Sequence, residues 1–416
     1  MIPTRLTRAP AFRAEGCRGS FRGGHISASR TIPEVSSRIV SKSRKIFIWS
    51  VCFYYMVCLV ACASRPIPLG LSVELTGRRA ELGVAVRNGA QLAVDQINES
   101  GGVNGRPLEL IVRDDRGDPE TARQVDAELV EDGAVAIIGH ITSSLTEAAL
   151  EQDNRAGIVL LSPTSSSSAF SAQADYLFRV TPSNDAMARS LAAYIYNQRG
   201  VRELVGIYDL GNRSFSETLW QEMQAEFRRL GGAADESFTF TSGETDLQNL
   251  MSQVKERNPQ AVVFIASAVD TALLVQYAKQ QGLESSLFSS TWAQTDELLE
   301  KGGQAVEGLE LGAVYDPQHP SPAYQQFVQD FEARFGRPPA LGASHAYEAV
   351  LVLVEALKRT KGQREGLPDA LSKVQDLPGL QGLISMDEYG DVQRDFYIVR
   401  VEDRQFKVIS TISLEK

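Results

Sequence analysis

The sequence contains little cysteine, and the main part of the chain contains none. All four cysteines, Cys17, Cys52, Cys58 and Cys62, lie within the first 62 of 416 residues. Residues 63–416 therefore cannot form a disulfide bond with one another or a thiolate-ligated metal site. We predict no metal and no cofactor.

Histidine is also scarce, and the motifs that define common enzyme classes are missing. The four histidines, His25, His140, His319 and His345, are scattered without ligand-like spacing. The sequence has no Gly-x-Ser-x-Gly elbow, no His-Glu-x-x-His, no phosphate-binding Walker loop and no Gly-x-Gly-x-x-Gly. We therefore predict that the protein is not an enzyme and that His140 is a hydrogen-bonded histidine at a strand end, not a catalytic base.

Basic residues are few outside the N-terminal region. Residues 1–61 hold ten of the 42 Lys and Arg but only two of the 52 Asp and Glu, so residues 62–416 carry 32 basic and 50 acidic side chains, a net charge of −18. Nucleic-acid binding depends on neutralising phosphates with cations. This excess of acidic residues argues against a nucleic-acid partner.

The N-terminal region reads as a targeting segment. A basic cluster at 42–45 precedes an uncharged apolar run, Ile46–Ala61, that is short for a membrane span. The run ends in Leu-Val-Ala-Cys, which resembles a bacterial lipobox. We expect residues 1–61 to be an N-terminal extension and lipoprotein signal peptide, and Cys62 to be lipidated. An ordinary signal peptide or an uncleaved anchor is the alternative, and translation starting at Val40 would explain why residues 1–39 fit no export signal.

The rest of the sequence predicts an α/β fold. Short apolar runs alternate with amphipathic stretches of helical period, which is typical of βαβ units and a parallel sheet covered on both faces. The pattern pauses near residues 179–183 and then repeats. The predicted helices span 81–100, 118–133, 145–156, 186–199, 214–230, 246–257, 270–281, 322–335 and 344–359, and a final hairpin joins 396–401 to 405–412.

Two of the predicted strands end in clusters of hydroxyl residues. These are "IIGHITSS" at 137–144 and "GIVLLSPTSSSS" at 157–168. Parallel strands in an open α/β sheet bind ligands at their carboxyl ends, so both clusters are expected to face one ligand. The alternative is that these Ser and Thr side chains only cap helices, which is common.

An ordered set of segments resembles the type I periplasmic solute-binding proteins of ABC transporters, specifically the branched-chain amino acid (Leu/Ile/Val) binding family. The segments are "GAQLAVDQINESGGVNGRPLEL", "DDRGDP", "AIIGHITSS", "IVLLSPTSS", "FRVTPS", "PQAVVFIAS" and "HAYEAV". The resemblance implies two Rossmann-like lobes joined by a multi-strand hinge. It places lobe 1 at 66–182 plus 318–375, and lobe 2 at 183–317 plus 376–416.

The resemblance also implies which residues of lobe 1 bind the ligand. Ser143 matches the position whose hydroxyl holds a ligand carboxylate, and Ser166 matches a second hydroxyl residue at the ligand head group. Thr164 and Ser165 match positions that contribute backbone groups. Ser167 and Ser168 are expected to be loop filler.

Lobe 2 departs from the leucine-type pattern. Its contributions are expected from Tyr208–Phe215, Ser267–Asp270 and Thr291–Gln294. Phe215 stands where a tyrosine is usual, and Trp292 stands about where an acidic residue would pair with a ligand ammonium. Asp270 is a candidate to replace that acid, or it is the N-cap of a helix. The ligand is accordingly an amino acid, an amide or another small carboxylate.

The partners follow from the same resemblance. We expect a monomer in the periplasm or at the cell exterior, anchored to the membrane through Cys62, that delivers its solute to an ABC permease. A binding protein that passes the signal to a sensory partner instead of a transporter is the alternative.

Overall fold

A computed structural model describes residues 65–412, and in this part of the chain the strands form two main sheets. The first sheet has five parallel strands in the order β2-β1-β3-β4-β5. They are β1 (Ile67–Val73), β2 (Leu108–Asp114), β3 (Ala136–Ile138), β4 (Val159–Ser162) and β5 (Leu177–Arg179).

The second sheet has seven strands in the order β14-β13-β10-β9-β8-β6-β7. The pairs from β6 to β10 are parallel, whereas β13 and β14 run antiparallel at one edge. The strands are β6 (Leu204–Asp209), β7 (Ser237–Phe240), β8 (Ala261–Ile265), β9 (Ser286–Ser289), β10 (Glu310–Ala313), β13 (Phe396–Glu402) and β14 (Gln405–Ile412).

Helices connect most of the consecutive parallel strands, as the alternating pattern predicts, whereas a loop joins β4 to β5. In the described residues they are α1 (Ala80–Glu99), α2 (Pro119–Glu131), α3 (Ser143–Ala156), α4 (Asn184–Asn197), α5 (Arg213–Arg229), α6 (Leu247–Arg257), α7 (Ala268–Gln280), α8 (Asp296–Gly302), α9 (Pro322–Phe335), α10 (Leu341–Thr360) and α11 (Leu367–Leu371). The predicted α/β class with two Rossmann-like lobes is confirmed.

The chain passes between the two sheets three times. The first passage follows β5, the second lies between β10 and α9, and the third leads into β13. A short hairpin, β11 (Leu377–Pro378) with β12 (Leu383–Ile384), precedes this passage, and the buried side chains of Ile384, Met386 and Val392 belong to the core of the first sheet. Burial of these apolar side chains holds the segment on the first lobe until shortly before β13.

The ends of the helices follow simple local rules. Asp118 is the N-cap of α2: its side chain accepts a hydrogen bond from the backbone N–H of Thr121, and Pro119 occupies the first turn. Helix α3 begins after Thr142, whose hydroxyl accepts from the Leu145 N–H, and ends at Gly157 in the left-handed conformation (φ 62°). These caps determine at which residue each helix begins after its strand, and so they position the loops of the site.

Helices α1 and α10 pack closely against each other. At Gly89 of α1, a Cβ atom would lie 2.0 Å from the carbonyl oxygen of Ala343 in α10. A backbone atom cannot move aside as a flexible side chain does, so only glycine allows the two helix backbones to approach this closely. The α10 helix is buried along much of its length.

Gly89→Ala is therefore expected to lower the free energy of unfolding by about 3 kcal/mol or more, at or above the top of the usual range for overpacking. Chemical denaturation measures the loss. Gly70→Ala is the matched control, because its added Cβ meets a movable Leu129 side-chain atom at 3.0 Å. Equal losses in the two variants would contradict the backbone-contact explanation.

Candidate ligand-binding cleft

A small cavity of ≈ 40 Å³ lies between the carboxyl ends of the two sheets. Loops after β3 and β4 form one wall, and loops after β6 and β9 form most of the opposite wall. The location agrees with the rule that open parallel sheets bind ligands at their carboxyl ends. The cavity is lined by Leu82, Ile141, Ser143, Thr164, Ser166, Asn212, Phe215, Thr291, Trp292, Thr295 and Leu341.

Ser143 is the first residue of α3, and its side chain is buried at the cavity. Its hydroxyl oxygen accepts a hydrogen bond from the backbone N–H of Ser167 at 3.3 Å. The position combines a hydroxyl group with the positive end of a helix dipole, an environment that favours an anion.

The loop after β4 brings the second hydroxyl cluster to the same wall. Thr164 and Ser166 line the cavity, and the Thr164 hydroxyl donates to the carbonyl of Ile141 at 2.9 Å. The Ser165 side chain does not line the cavity; its hydroxyl donates to the His140 carbonyl at 3.2 Å and bonds the Thr146 hydroxyl at 2.7 Å. The structure thus brings Ser143, Thr164 and Ser166 together and uses the Ser165 hydroxyl to join the two loops.

Two aromatic side chains form part of the opposite wall. Phe215 and Trp292 pack edge to face, with ring centroids 5.8 Å apart and an interplanar angle of 83°. Both line the cavity, and Phe215 is only 4% exposed. This wall presents apolar surface to any ligand held by the hydroxyl groups.

Asp270 lies outside the cavity lining. Its carboxylate accepts hydrogen bonds from the hydroxyls of Ser242 (2.6 Å) and Ser267 (2.7 Å), and Nη2 of Arg78 lies 3.3 Å away. The predicted N-cap role is wrong, because Ser267 is the N-cap and Asp270 is the third residue of α7. In this structure Arg78 supplies a counter-charge to Asp270.

Direct hydrogen bonds join the two walls. The backbone N–H of Ser144 donates to the Asn212 side-chain oxygen (3.2 Å), and the N–H of Ser214 donates to the Ser144 hydroxyl (3.1 Å). The Ser167 hydroxyl donates to the Ser214 carbonyl at 2.6 Å, so the expectation that Ser167 is loop filler is wrong. Asn212 lies within the predicted segment Tyr208–Phe215, whereas its bond to Ser144 was not predicted, since nothing in a local sequence pattern marks a partner about 70 residues away.

Some buried hydroxyl groups at the cavity have no partner within the described protein. Thr291 and Thr295 both line the cavity, are at most 9% exposed, and have Oγ1 atoms without a hydrogen bond. Because an unsatisfied buried polar atom costs free energy, such atoms indicate where a ligand or water completes the site.

A buried histidine supports the hydroxyl-bearing wall from behind. The His140 ring nitrogens lie 3.0 Å from an Asp115 oxygen and 2.9 Å from an Asp126 oxygen. Burial lowers the pKa of His140, but the carboxylates of Asp126 and Asp115 outweigh burial and raise it to about 10. Burial raises the pKa of Asp153 to about 8, and the neighbouring Asp126 charge adds to the shift. His140 is a hydrogen-bonded strand-end histidine, as predicted.

Two further findings concern metal-binding groups and membrane-spanning helices. Within residues 65–412, no group of three His, Cys, Asp or Glu side chains is arranged to hold a metal ion. None of the helices in that range has the length and apolar character needed to span a bilayer.

The fold and the cleft together define a two-lobed solute-binding protein. A family model described as "Periplasmic binding protein" matches residues 66–405. The chain belongs to this family.

Several relatives agree with the leucine-type resemblance. A Leu/Ile/Val/Thr/Ala-binding protein of Pseudomonas aeruginosa is 26% identical over 338 residues, covering 81% of this chain and 90% of the relative. A leucine-binding protein of Thermotoga maritima superposes with a TM-score of 0.78 at 25% identity, covering 83% of this chain and 99% of that one. A substrate-binding protein of Desulfitobacterium hafniense, solved with Leu, has a TM-score of 0.70 at 27% identity, covering 83% and 100%.

The raised pKa of Asp153 makes a prediction about stability and pH. The folded-state pKa of Asp153 lies above its unfolded value, so between about pH 4 and pH 8 this carboxyl ionises only in the unfolded state. The free energy of unfolding of the protein therefore falls as pH rises through that window. Asp153→Asn should remove this loss. Thermal melts are therefore expected to show the variant gaining on the parent from pH 4 to pH 8, and a constant difference would contradict the assignment.

Proposed function

We propose that the protein is the extracytoplasmic substrate-binding component of an ABC transporter. It captures an amino acid, or a similar small carboxylate or amide, by closing two lobes, and it delivers the solute to a membrane permease. The observation that carries this proposal is the cavity between the lobes, where Ser143, Thr164 and Ser166 on one wall face Phe215 and Trp292 on the other.

Binding without catalysis is part of the proposal. The cavity lining contains no histidine, carboxylate, lysine or cysteine that would act as a base or an activated nucleophile. His140 is fully buried behind the wall between two carboxylates, away from the lining. The residues at the cavity are suited to hold a ligand by hydrogen bonds and apolar contact.

The mechanism that we infer is capture by population shift. The solute docks on the hydroxyl-bearing wall, and the aromatic wall adds contacts only when the lobes close, so binding favours the closed state. The cross-cleft bonds of Ser144, Asn212 and Ser214 form in that state.

Ser143→Ala tests the assigned carboxylate contact. We expect binding to weaken by roughly tenfold or more, because a hydrogen bond to a charged group contributes about 1.5–3 kcal/mol. A thermal-shift screen against amino acids, amides and small organic acids identifies a ligand first, since a tight ligand stabilises the fold by mass action. Isothermal titration then compares the variants.

Ser100→Ala is the matched control for this experiment. Ser100 is exposed at the end of α1, and its hydroxyl donates to the Gln96 carbonyl. Its removal should leave the affinity unchanged. An unaltered affinity in Ser143→Ala would remove Ser143 from the site.

The lipid anchor at Cys62 is the remaining part of the proposal, and it lies outside the described residues. Cys62→Ser is expected to release the protein from the membrane fraction, because acyl chains on that residue would supply the membrane affinity. Fractionation followed by immunoblotting measures the change, with Cys58→Ser as the control. Retention of Cys62→Ser in the membrane fraction would favour an uncleaved anchor instead.

A further inference from the structure

The lining of the cavity carries no formal charge. Its apolar members are Leu82, Ile141, Phe215, Trp292 and Leu341, and its polar members are the neutral residues Ser143, Thr164, Ser166, Asn212, Thr291 and Thr295. Any charge on the solute must therefore be stabilised by hydroxyl groups and backbone dipoles alone. Such an environment stabilises an anion and a cation to different extents.

An anion is well served by the wall that carries Ser143. Hydroxyl groups donate to a carboxylate, and the N-terminal end of α3 presents its positive dipole there. Among the described residues that line the cavity, no acidic side chain is available to a cation, and an ammonium buried in a cleft needs an opposite charge nearby to offset its desolvation.

Two carboxylates near the cleft, Asp270 and Glu81, lie outside the lining, and one buried oxygen of Glu81 has no hydrogen-bond partner among the described residues. Asp270 is bonded by Ser242, Ser267 and Arg78. Glu81 precedes the lining residue Leu82, but Glu81 interacts with the carboxylate of Glu297. Burial, followed by the Glu297 charge, raises the pKa of Glu81 to about 7, which makes it a poor permanent anion.

The wall opposite Ser143 is equipped for a neutral polar group. The Oγ1 atoms of Thr291 and Thr295 are buried without a protein partner, and both residues line the cavity beside Trp292. A threonine hydroxyl both donates and accepts, so this pair suits a hydroxyl or carbonyl oxygen on the solute. Such a group would satisfy the two atoms without introducing a second charge.

We propose, resting on the proposed function, that the solute is a monocarboxylate with an apolar body and no ammonium group, bearing a neutral hydroxyl or carbonyl oxygen next to Thr291 and Thr295. Its carboxylate lies at Ser143, and its apolar body packs between Leu82 and the Phe215–Trp292 pair. The proposal selects 2-hydroxy and 2-oxo acids, aliphatic or aromatic, over the corresponding amino acids.

Two matched series of compounds test the proposal on the full chain by isothermal titration. One series is L-leucine, 2-hydroxy-4-methylpentanoate, 4-methyl-2-oxopentanoate and 4-methylpentanoate. The other is L-phenylalanine, 3-phenyllactate, phenylpyruvate and 3-phenylpropanoate. We expect the 2-hydroxy or 2-oxo acid of at least one series to bind roughly tenfold or more tightly than its amino acid, because the ammonium lacks a counter-charge.

The results distinguish a wrong solute class from a wrong proposed function. An amino acid that binds as tightly as its 2-hydroxy or 2-oxo analogue overturns the inference and leaves the proposed function standing, as does an amide that binds more tightly than every carboxylate. Failure of all eight compounds also overturns the inference. The proposed function falls only if, in addition, no compound of the wider screen stabilises the protein.

Substitution of Trp292 offers a second test. Trp292→Glu places a carboxylate in the lining and should shift the preference toward the amino acid by roughly tenfold, whereas Trp292→Gln should weaken both kinds of compound alike. Thr295→Asp and Thr295→Asn form a second pair in case the tryptophan variants do not fold. An unchanged preference in a folded acidic variant contradicts the proposal.

Glu81→Gln and Asp270→Asn complete the design. Each replaces a carboxylate near the cleft by its neutral isostere, and neither should change the ratio between amino acid and 2-hydroxy acid affinities. A selective loss of amino-acid binding in either variant would identify the missing counter-charge and overturn the inference.

Discussion

His140 joins several elements of the first lobe through its imidazole and its backbone carbonyl. Its ring lies between Asp115, which follows β2, and Asp126 in α2. Its backbone carbonyl accepts from the hydroxyls of Ser162, the last residue of β4, and Ser165 in the following loop. These groups are all buried, so the hydrogen bonds are protected from competition with water. Ser143 lies three residues beyond His140, and its position depends on this arrangement.

The fold was largely predictable because the helical and strand periods are distinct along the chain. The predicted helix 322–335 agrees with α9, and the predicted hairpin agrees closely with β13 and β14. Strand β10 was not predicted. It has four residues, Glu310–Ala313, with a buried charge and a glycine, and its Glu310 is stabilised by Arg400 at 2.7 Å. Because Arg400 is 90 residues away in the sequence, the local hydrophobic pattern around Glu310 does not reveal this ion pair.

The site was predictable in part for the same reason. Parallel strands bring their carboxyl ends to one edge, so two hydroxyl clusters on neighbouring strands had to lie close together. Asp270 shows where this reasoning fails. The sequence places it after a strand of the second sheet, but its surroundings are decided by Arg78, 192 residues away, and by Ser242. Cross-cleft contacts of this kind depend on how the two lobes meet, which no local pattern records.

Hydrogen bonds join the two walls of the cleft directly, between Ser144 and Asn212 and between Ser167 and Ser214. These bonds affect how strongly a solute is bound, but not which solute is preferred. Protein groups alone make these bonds. On the closing mechanism that we propose, they would raise the fraction of ligand-free molecules in the closed state, and the apparent affinity for every solute would rise by the same factor. The bonds between the two walls would therefore scale the affinity for all solutes alike, and discrimination between solutes would depend on the few side chains that line the cavity.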